Sequence, residues 1–321
     1  MVTRRQTLGL IGAAAVSTVL PIAGKARAAA KALRIGWQKN GVLALAKSQG
    51  ALEKRFADRG IKVTWSEFTS GPPLLEALGA GALDFGPTGD VPPLFAQAAR
   101  GNLLYIGTYR GSGQGSAILV HKDSPIQSLA DLKGKKLAFK RGSSAHNVTV
   151  KQLRKAGLTL GDVTSLDLAP PDAAAAFKNG SIDAWSIWDP YTAIAEADPN
   201  TRVLTTAEGV VDSWSYFLGN GDFVADNGDL IVEVIDELKK VGSAAQANFD
   251  QTVKALASIT GVPENVTNVV LARRGADLGA VSILPDAAVE YQQALADEFY
   301  DLKIIPRKLD IASIVWRPKA S

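Results

Sequence analysis

The chain has 321 residues, 35 of them basic and 32 acidic, and no cysteine. This length favours two domains. The lack of cysteine excludes disulfides, a thiol nucleophile, a cysteine zinc site and a lipid-carrying N-terminal cysteine. With only His121 and His146 present, a histidine-rich metal site is not expected either, and no cofactor is predicted. Hydrophobic residues at 46% and charged residues at 21% suit a globular protein with a full core.

The N-terminus reads as a targeting segment. Thr3-Arg4-Arg5 precedes an apolar run from Leu8 to Ala23, and Ala26-Arg27-Ala28 fits a small-x-small cleavage site. Residues 1–28 are therefore predicted to be a signal peptide, cleaved on export to the periplasm. The paired arginines fit the twin-arginine route, and a plain secretory signal with a basic start fits as well. An uncleaved anchor would need a longer run without the Gly and Ser interruptions. Four of the 35 basic residues and none of the 32 acids lie in residues 1–28, so the remainder carries one excess negative charge. The basicity belongs to the leader, and nothing left suggests nucleic-acid binding.

Leu33 to Gln38 reads as the first strand, followed by a helix from Val42 to Phe56 that closes near Gly60. Ile61 to Phe68 alternates like a strand, Pro72 to Leu78 reads as a short helix, and Leu83 to Gly86 as a strand. Asp90-Val91-Pro92-Pro93 opens the next helix, and Leu103 to Tyr109 is a strand. The loop Arg110 to Gly115 is glycine-dense, but no helix start follows it, so it is weak evidence for phosphate binding. Ala117 to Val120 reads instead as a strand leaving one lobe for another.

Lys136 to Lys140 is a short buried strand, and Arg141 to Asn147 a tight glycine turn rich in N-cap residues. Val148 to Ala156 has the apolar spacing of an amphipathic helix. A strand, a small-residue turn and a helix start make a ready anion site, because first-turn N–H groups lack partners within the helix. The same pattern also fits an ordinary capped helix. Further strands are predicted at Val163 to Leu168, within Ile182 to Tyr191 and at Val203 to Thr206, with a helix from Pro171 to Asn179. Trp214 to Leu218 reads as a strand returning to the first lobe. Beyond Asp226 the chain reads as helices through Val241, then Ala244 to Thr260, Pro263 to Ala272 and Pro285 to Leu302.

Alternating strands and helices predict mostly parallel sheets. Two crossings predict an α/β clamshell: residues 29–116 and 213–321 as lobe I, and residues 117–212 as lobe II. Ligand sites lie at the carboxyl ends of parallel strands, so both lobes would present such ends to one cleft.

Four stretches occur in order that carry a family resemblance: Gly36-Trp37-Gln38-Lys39, Gly86 to Pro93, Gly142 to Asn147 and Ile182 to Tyr191. Together, and with Ile305 to Ile311, they resemble the aliphatic sulfonate-binding proteins of ABC importers, within the nitrate, sulfonate and taurine group. The resemblance implies a two-lobe type II periplasmic binding protein with a hinged cleft. It also implies an alkanesulfonate ligand, docking on the membrane permease subunits of an ABC importer, and no catalysis. A monomer is expected.

A sulfonate stays charged at physiological pH and offers only acceptor oxygens, so its site must supply donors. Ser143, Ser144, His146 and Asn147 are the candidates at the helix start, with hydroxyl, imidazole and amide donors beside the backbone N–H groups. One helix terminus contributes about 0.3–2 kcal/mol, whereas micromolar affinity needs about 8 kcal/mol. Lobe I is therefore expected to add Gln38, Thr88, Gly89 and Asp90. Asp90 has two open readings, as an N-cap or as a contact to a cationic part of the ligand. Trp188 is the candidate wall for an organic tail, and Trp185, of opposite strand parity, is expected in the core. Trp214 and Tyr216 fit either the hinge side of the cleft or the core. Asp189, before Pro190, reads as a turn residue or a ligand contact. His146 has three readings: anion donor, structural residue of the helix start, or catalytic base. No G-x-S-x-G elbow accompanies it. The competing functions are a receptor for taurine, nitrate or a thiamine precursor, and an enzyme on the same fold related to thiamine-pyrimidine synthesis. Those enzymes look cysteine-dependent, which this chain does not satisfy.

Overall fold

A computed structural model describes residues 30–111, 113–273 and 278–319; the proposed signal peptide lies outside them. In chain order, β1 (Ala32–Trp37) leads into α1 (Gly41–Gln49) and α2 (Ala51–Phe56). Then come β2 (Lys62–Glu67), α3 (Gly71–Gly79), β3 (Phe85–Gly89), α4 (Val91–Ala98) and β4 (Leu103–Arg110). The chain crosses into β5 (Ser116–His121), β6 (Lys136–Phe139), α5 (Ser144–Lys155), β7 (Thr164–Asp167), α6 (Pro170–Lys178), β8 (Ala184–Trp188), α7 (Tyr191–Glu196) and β9 (Thr201–Thr206). It returns through β10 (Trp214–Asn220) to α8 (Gly221–Asp226), α9 (Gly228–Ala247), α10 (Phe249–Thr260), α11 (Glu264–Arg273), β11 (Ser282–Ile283) and α12 (Asp286–Asp301).

Two sheets result, ordered β11-β4-β10-β3-β1-β2 and β7-β6-β8-β5-β9. They are mixed, which corrects the expectation of mostly parallel sheets. β1 pairs parallel with β2 and β3, and β6 with β7 and β8. The strands that carry the chain between lobes run the other way: β5 is antiparallel to β8 and β9, and β10 to β3 and β4. A strand that arrives from the opposite lobe starts at the cleft end of the sheet, whereas the local βα units finish there.

Strand alternation divides each core in two. In the first lobe Ile35, Phe85 and Phe217 pack under α1, α9 and α10, while Tyr105, Tyr216 and Leu218 pack under α3, α4 and α12. In the second, Ile118, Leu137 and Phe139 face α5, and Leu119, Ala138 and Trp185 face α6.

Two helix boundaries differ from the sequence reading. The helix expected over 42–56 is broken at Gly50, whose left-handed backbone (φ 60°) caps α1 with bonds to the Ala46 and Lys47 carbonyls. The break expected after Val241 does not occur, and α9 runs on to Ala247. Gly242 serves close packing there, because a Cβ on it would lie 2.0 Å from the Leu278 carbonyl oxygen. The short α7, α8 and β11 had no periodic signal long enough to read.

Candidate ligand cleft between the lobes

β1, β3, β6 and β8 all end at the gap between the lobes. Their last residues lead directly to Gln38, Asp90, the 140–143 turn and Asp189. The cleft there is lined by Gln38, Asn40, Thr88, Gly89 and Asp90 from one lobe, and by Ser143, Ser144, Val148, Trp188 and Asp189 from the other. The crossover segments add Tyr109, Ser116, Val211, Ser213 and Trp214. The lobes are closed on each other, since a Cβ on Gly89 would lie 1.8 Å from Ser144 Oγ. The enclosed space is about 100 Å³. Among the described residues that line it, none is Lys, Arg or His.

Four helices of eight or more residues start at this cleft, α1 behind Asn40 and then α3, α4 and α5, and their first turns differ. α3 carries Pro72 and Pro73 in its first turn, and α4 carries Pro92 and Pro93, so those N–H donors do not exist. At α4 the Asp90 carboxylate also accepts the Val91 N–H at 3.0 Å. α1, behind Asn40, has neither feature, and nor does α5. Its N-cap Ser143 makes no side-chain cap bond, its first turn holds no acid, and the Ser143 hydroxyl donates instead to the Lys140 carbonyl at 2.7 Å. The N–H groups of Ser144 and Ala145 are thus left without an intrahelical acceptor, at the positive end of a 12-residue helix.

Gln38 and Thr88 are buried at the cleft wall; Gln38 Nε2 donates to the Pro87 carbonyl at 3.1 Å, and Thr88 Oγ1 to the Gly89 carbonyl at 3.0 Å. Asp90 caps α4, and its other oxygen accepts from Asn147 Nδ2 at 2.6 Å and Tyr291 Oη at 3.1 Å. Burial pushes this carboxyl above the ordinary carboxylate range, against the opposing pull of hydrogen bonds from Ser144, Asn147 and Tyr291. Trp188 is half-buried and lines the cleft, while Trp185 is in the core. Trp214 lines the cleft, and Tyr216 is fully buried with its hydroxyl on the Ala288 carbonyl at 3.0 Å. Asp189 Oδ1 accepts from the Ala193 N–H and from Arg273 Nη1, each at 3.1 Å, so it holds α7 to α11 as well as edging the cleft.

Two expected ligand donors point elsewhere. His146 is buried against Phe139, Phe299 and Phe95, at ring-centre distances of 5.1, 5.5 and 6.1 Å. Burial, with Arg141 nearby, lowers its pKa to about 4, so at neutral pH it is an uncharged core ring. Its Nδ1 accepts the Gly142 N–H at 3.3 Å and holds the turn before α5. Asn147 gives its amide to Asp90 across the lobe boundary and to Tyr291 Oη at 3.3 Å. Both residues support the site rather than line it.

The sequence reading missed a set of contacts that join the lobes. Lys151 and Arg154 of α5 both pair with Glu298 of α12 at 2.5 Å, Arg273 also pairs with Glu196, and Asn40 Nδ2 donates to the Asp189 carbonyl at 3.4 Å. These partners lie 77 to 149 residues apart in the chain, where no local pattern can link them. Lys151 and Arg154 did carry a faint signal, since their spacing puts two cations on one helix face.

Comparison with known proteins supplies the remaining observations. The profile of the NMT1/THI5-like family matches residues 46–252. A relative from Escherichia coli K12, named as an aliphatic sulfonates-binding protein, is 39% identical over 97% of this chain and 96% of its own length. A Bacillus subtilis relative of the same name is 34% identical over 89% of this chain and 86% of its own. The solved structure of the alkanesulfonate-binding protein SsuA from Xanthomonas axonopodis pv. citri, bound to MOPS, superposes with a TM-score of 0.86 at 40% identity. The match covers 90% of this chain and 99% of that one.

Proposed function

The chain belongs to the NMT1/THI5-like family, among its aliphatic sulfonate-binding proteins, and from that premise we propose that it captures alkanesulfonates in the periplasm and delivers them to an ABC importer. Residues 1–28 would be removed on export, residues 29–116 and 213–321 would act as one lobe, residues 117–212 as the other, and the closed monomer would dock on the permease subunits. The observation that carries this reading is the open first turn of α5, facing Gln38 and Thr88 across a cleft with no cationic lining among the described residues. A permanently charged headgroup that only accepts hydrogen bonds suits neutral donors, since neither partner then changes protonation state.

In this reading the N–H groups of Ser144 and Ala145 grip the sulfonate, with Ser143, Thr88, Gly89 and Gln38 around it, while the Ser144 hydroxyl stays on Asp90. Trp188 and Asp189 shape the wall, and Trp188 offers apolar area. Asp90 braces the site from behind, because its carboxylate is already met by donors from both lobes. We assign no catalytic residue. His146 is neutral and packed away from the cleft, and the chain has no thiol.

Calorimetric titration of methane-, ethane- and butanesulfonate, taurine, nitrate and sulfate tests the proposal. Alkanesulfonates should bind at micromolar levels or tighter, and taurine should bind no better than ethanesulfonate because Asp90 is occupied. Tighter binding of nitrate or sulfate than of any sulfonate would overturn it. Ser144→Pro isolates the anchor. Proline is tolerated at the first helical position, and Ser143 is already extended (φ −99°, ψ 174°), so the fold should persist while one N–H and one hydroxyl are lost. A hydrogen bond to a charged group contributes about 1.5–3 kcal/mol, so affinity should fall roughly 10- to 100-fold.

A further inference from the structure

The cleft is not the only space between the lobes. A second cavity of about 440 Å³ is lined by Lys151, Val210, Val211, Tyr291, Ala294 and Glu298. Val211, in the segment that returns the chain to the first lobe, lines both spaces. Both cavities also lie along α5, with the Asn147 bridge to Asp90 and Tyr291 between them. Ser144 and Val148 face the cleft and Lys151 faces the second cavity, and a spacing of four and three residues keeps all three on one helix face. On the other side Tyr291, Ala294 and Glu298 form the matching stripe of α12. From Ser144 to Lys151 the helix rises roughly 10 Å at 1.5 Å per residue, about the reach of an extended octyl chain.

We propose that this second cavity is an annex for the organic tail: the sulfonate sits at the start of α5, and a long aliphatic chain passes Val211 to lie between α5 and α12. The inference rests on the sulfonate-binding reading above and extends it to a length range of ligand. The closed cleft encloses about 100 Å³, which suits a headgroup and a short substituent; a longer chain needs further room. The annex offers it beside Val210, Val211, Ala294 and the Tyr291 ring, with the exposed Asp212, paired with Arg110, at its edge. Its far end is polar. Glu298 there holds both Lys151 and Arg154, so the annex ends in a charged rim that stays hydrated beyond the tail. Because its walls come from both lobes, a tail lying in it touches both only when they are closed, and its burial would favour closure.

The test is a chain-length series of methane-, butane- and octanesulfonate titrated into the mature protein and into two variants. Ala294 is exposed on α12 and outside the cleft, so Ala294→Trp should fill the annex without disturbing the core or the headgroup site. Ala294→Ser leaves the space open. Burial of methylenes in the annex should tighten binding by roughly twofold or more per added carbon, so wild type should hold octanesulfonate at least about tenfold more tightly than butanesulfonate. Ala294→Trp should reduce that step to under about twofold with methanesulfonate affinity unchanged, and Ala294→Ser should keep it. Equal binding of butane- and octanesulfonate to wild type, or a step that survives Ala294→Trp, overturns the annex while leaving sulfonate capture standing. Failure of all three ligands to bind wild type removes both.

Discussion

The two residues that most resemble anion ligands on paper, His146 and Asn147, are used to hold the turn and the lobes in register. The aromatic residues around His146 decide this, because burial makes the imidazolium too costly and leaves a neutral ring. The consequence has a definite sign. The folded pKa of about 4 lies below the ordinary value of 6.5, so between those pH values the unfolded chain binds the proton and the folded one does not. Stability from this residue is therefore complete above pH 6.5 and falls as pH drops toward 4, by roughly 1.4 kcal/mol per pH unit within the window. His146→Gln, which keeps an acceptor for the Gly142 N–H, should lose that portion of the acid sensitivity in denaturant titrations at pH 7 and pH 4.5. Its sulfonate affinity at pH 7 should stay within about twofold, an outcome opposite to the one expected of a ligand donor. Local sequence named the residue types at the start of α5 correctly. It could not say which way the His146 ring points, because Phe95 and Phe299 come from helices in the other lobe.

Helix starts follow the same division. Prolines and an aspartate, visible in the sequence, close α3 and α4 to an anion, and their absence leaves α1 and α5 open. Glycines are less easily read, because one residue type serves two purposes. Gly50 ends α1 through its left-handed backbone, whereas Gly242 sits inside α9 under the Leu278 carbonyl. Gly242→Ala should destabilise the first lobe by about 2 kcal/mol or more despite alanine's better helix propensity, because the new methyl meets backbone rather than a movable side chain. A denaturant midpoint equal to or above that of wild type would instead mark Gly242 as a dispensable helix residue.

For the whole molecule, closure depends on contacts that the chain assembles from both lobes. Glu298 receives Lys151 and Arg154, and Asp90 receives Asn147 and Tyr291. Lys151 and Arg154 are partly exposed, so each pair contributes at most about 1 kcal/mol and is screened by salt. Glu298→Gln should weaken sulfonate affinity by roughly three- to tenfold and reduce its dependence on ionic strength. Small-angle scattering of the ligand-free variant should show a larger radius of gyration than wild type, and equal radii and affinities would remove Glu298 from closure. Sequence alone determined the βα rhythm, the two crossings, the helix start at 144 and the alternation that puts Trp185 in the core, because each depends on neighbours within a few residues. Only the tertiary structure decided the antiparallel entry of β5 and β10, the turning of His146 and Asn147 away from the cleft, and the space behind Val211. Those features depend on groups tens to hundreds of residues apart, whose meeting is fixed by how the two lobes pack and not by any local preference of the chain.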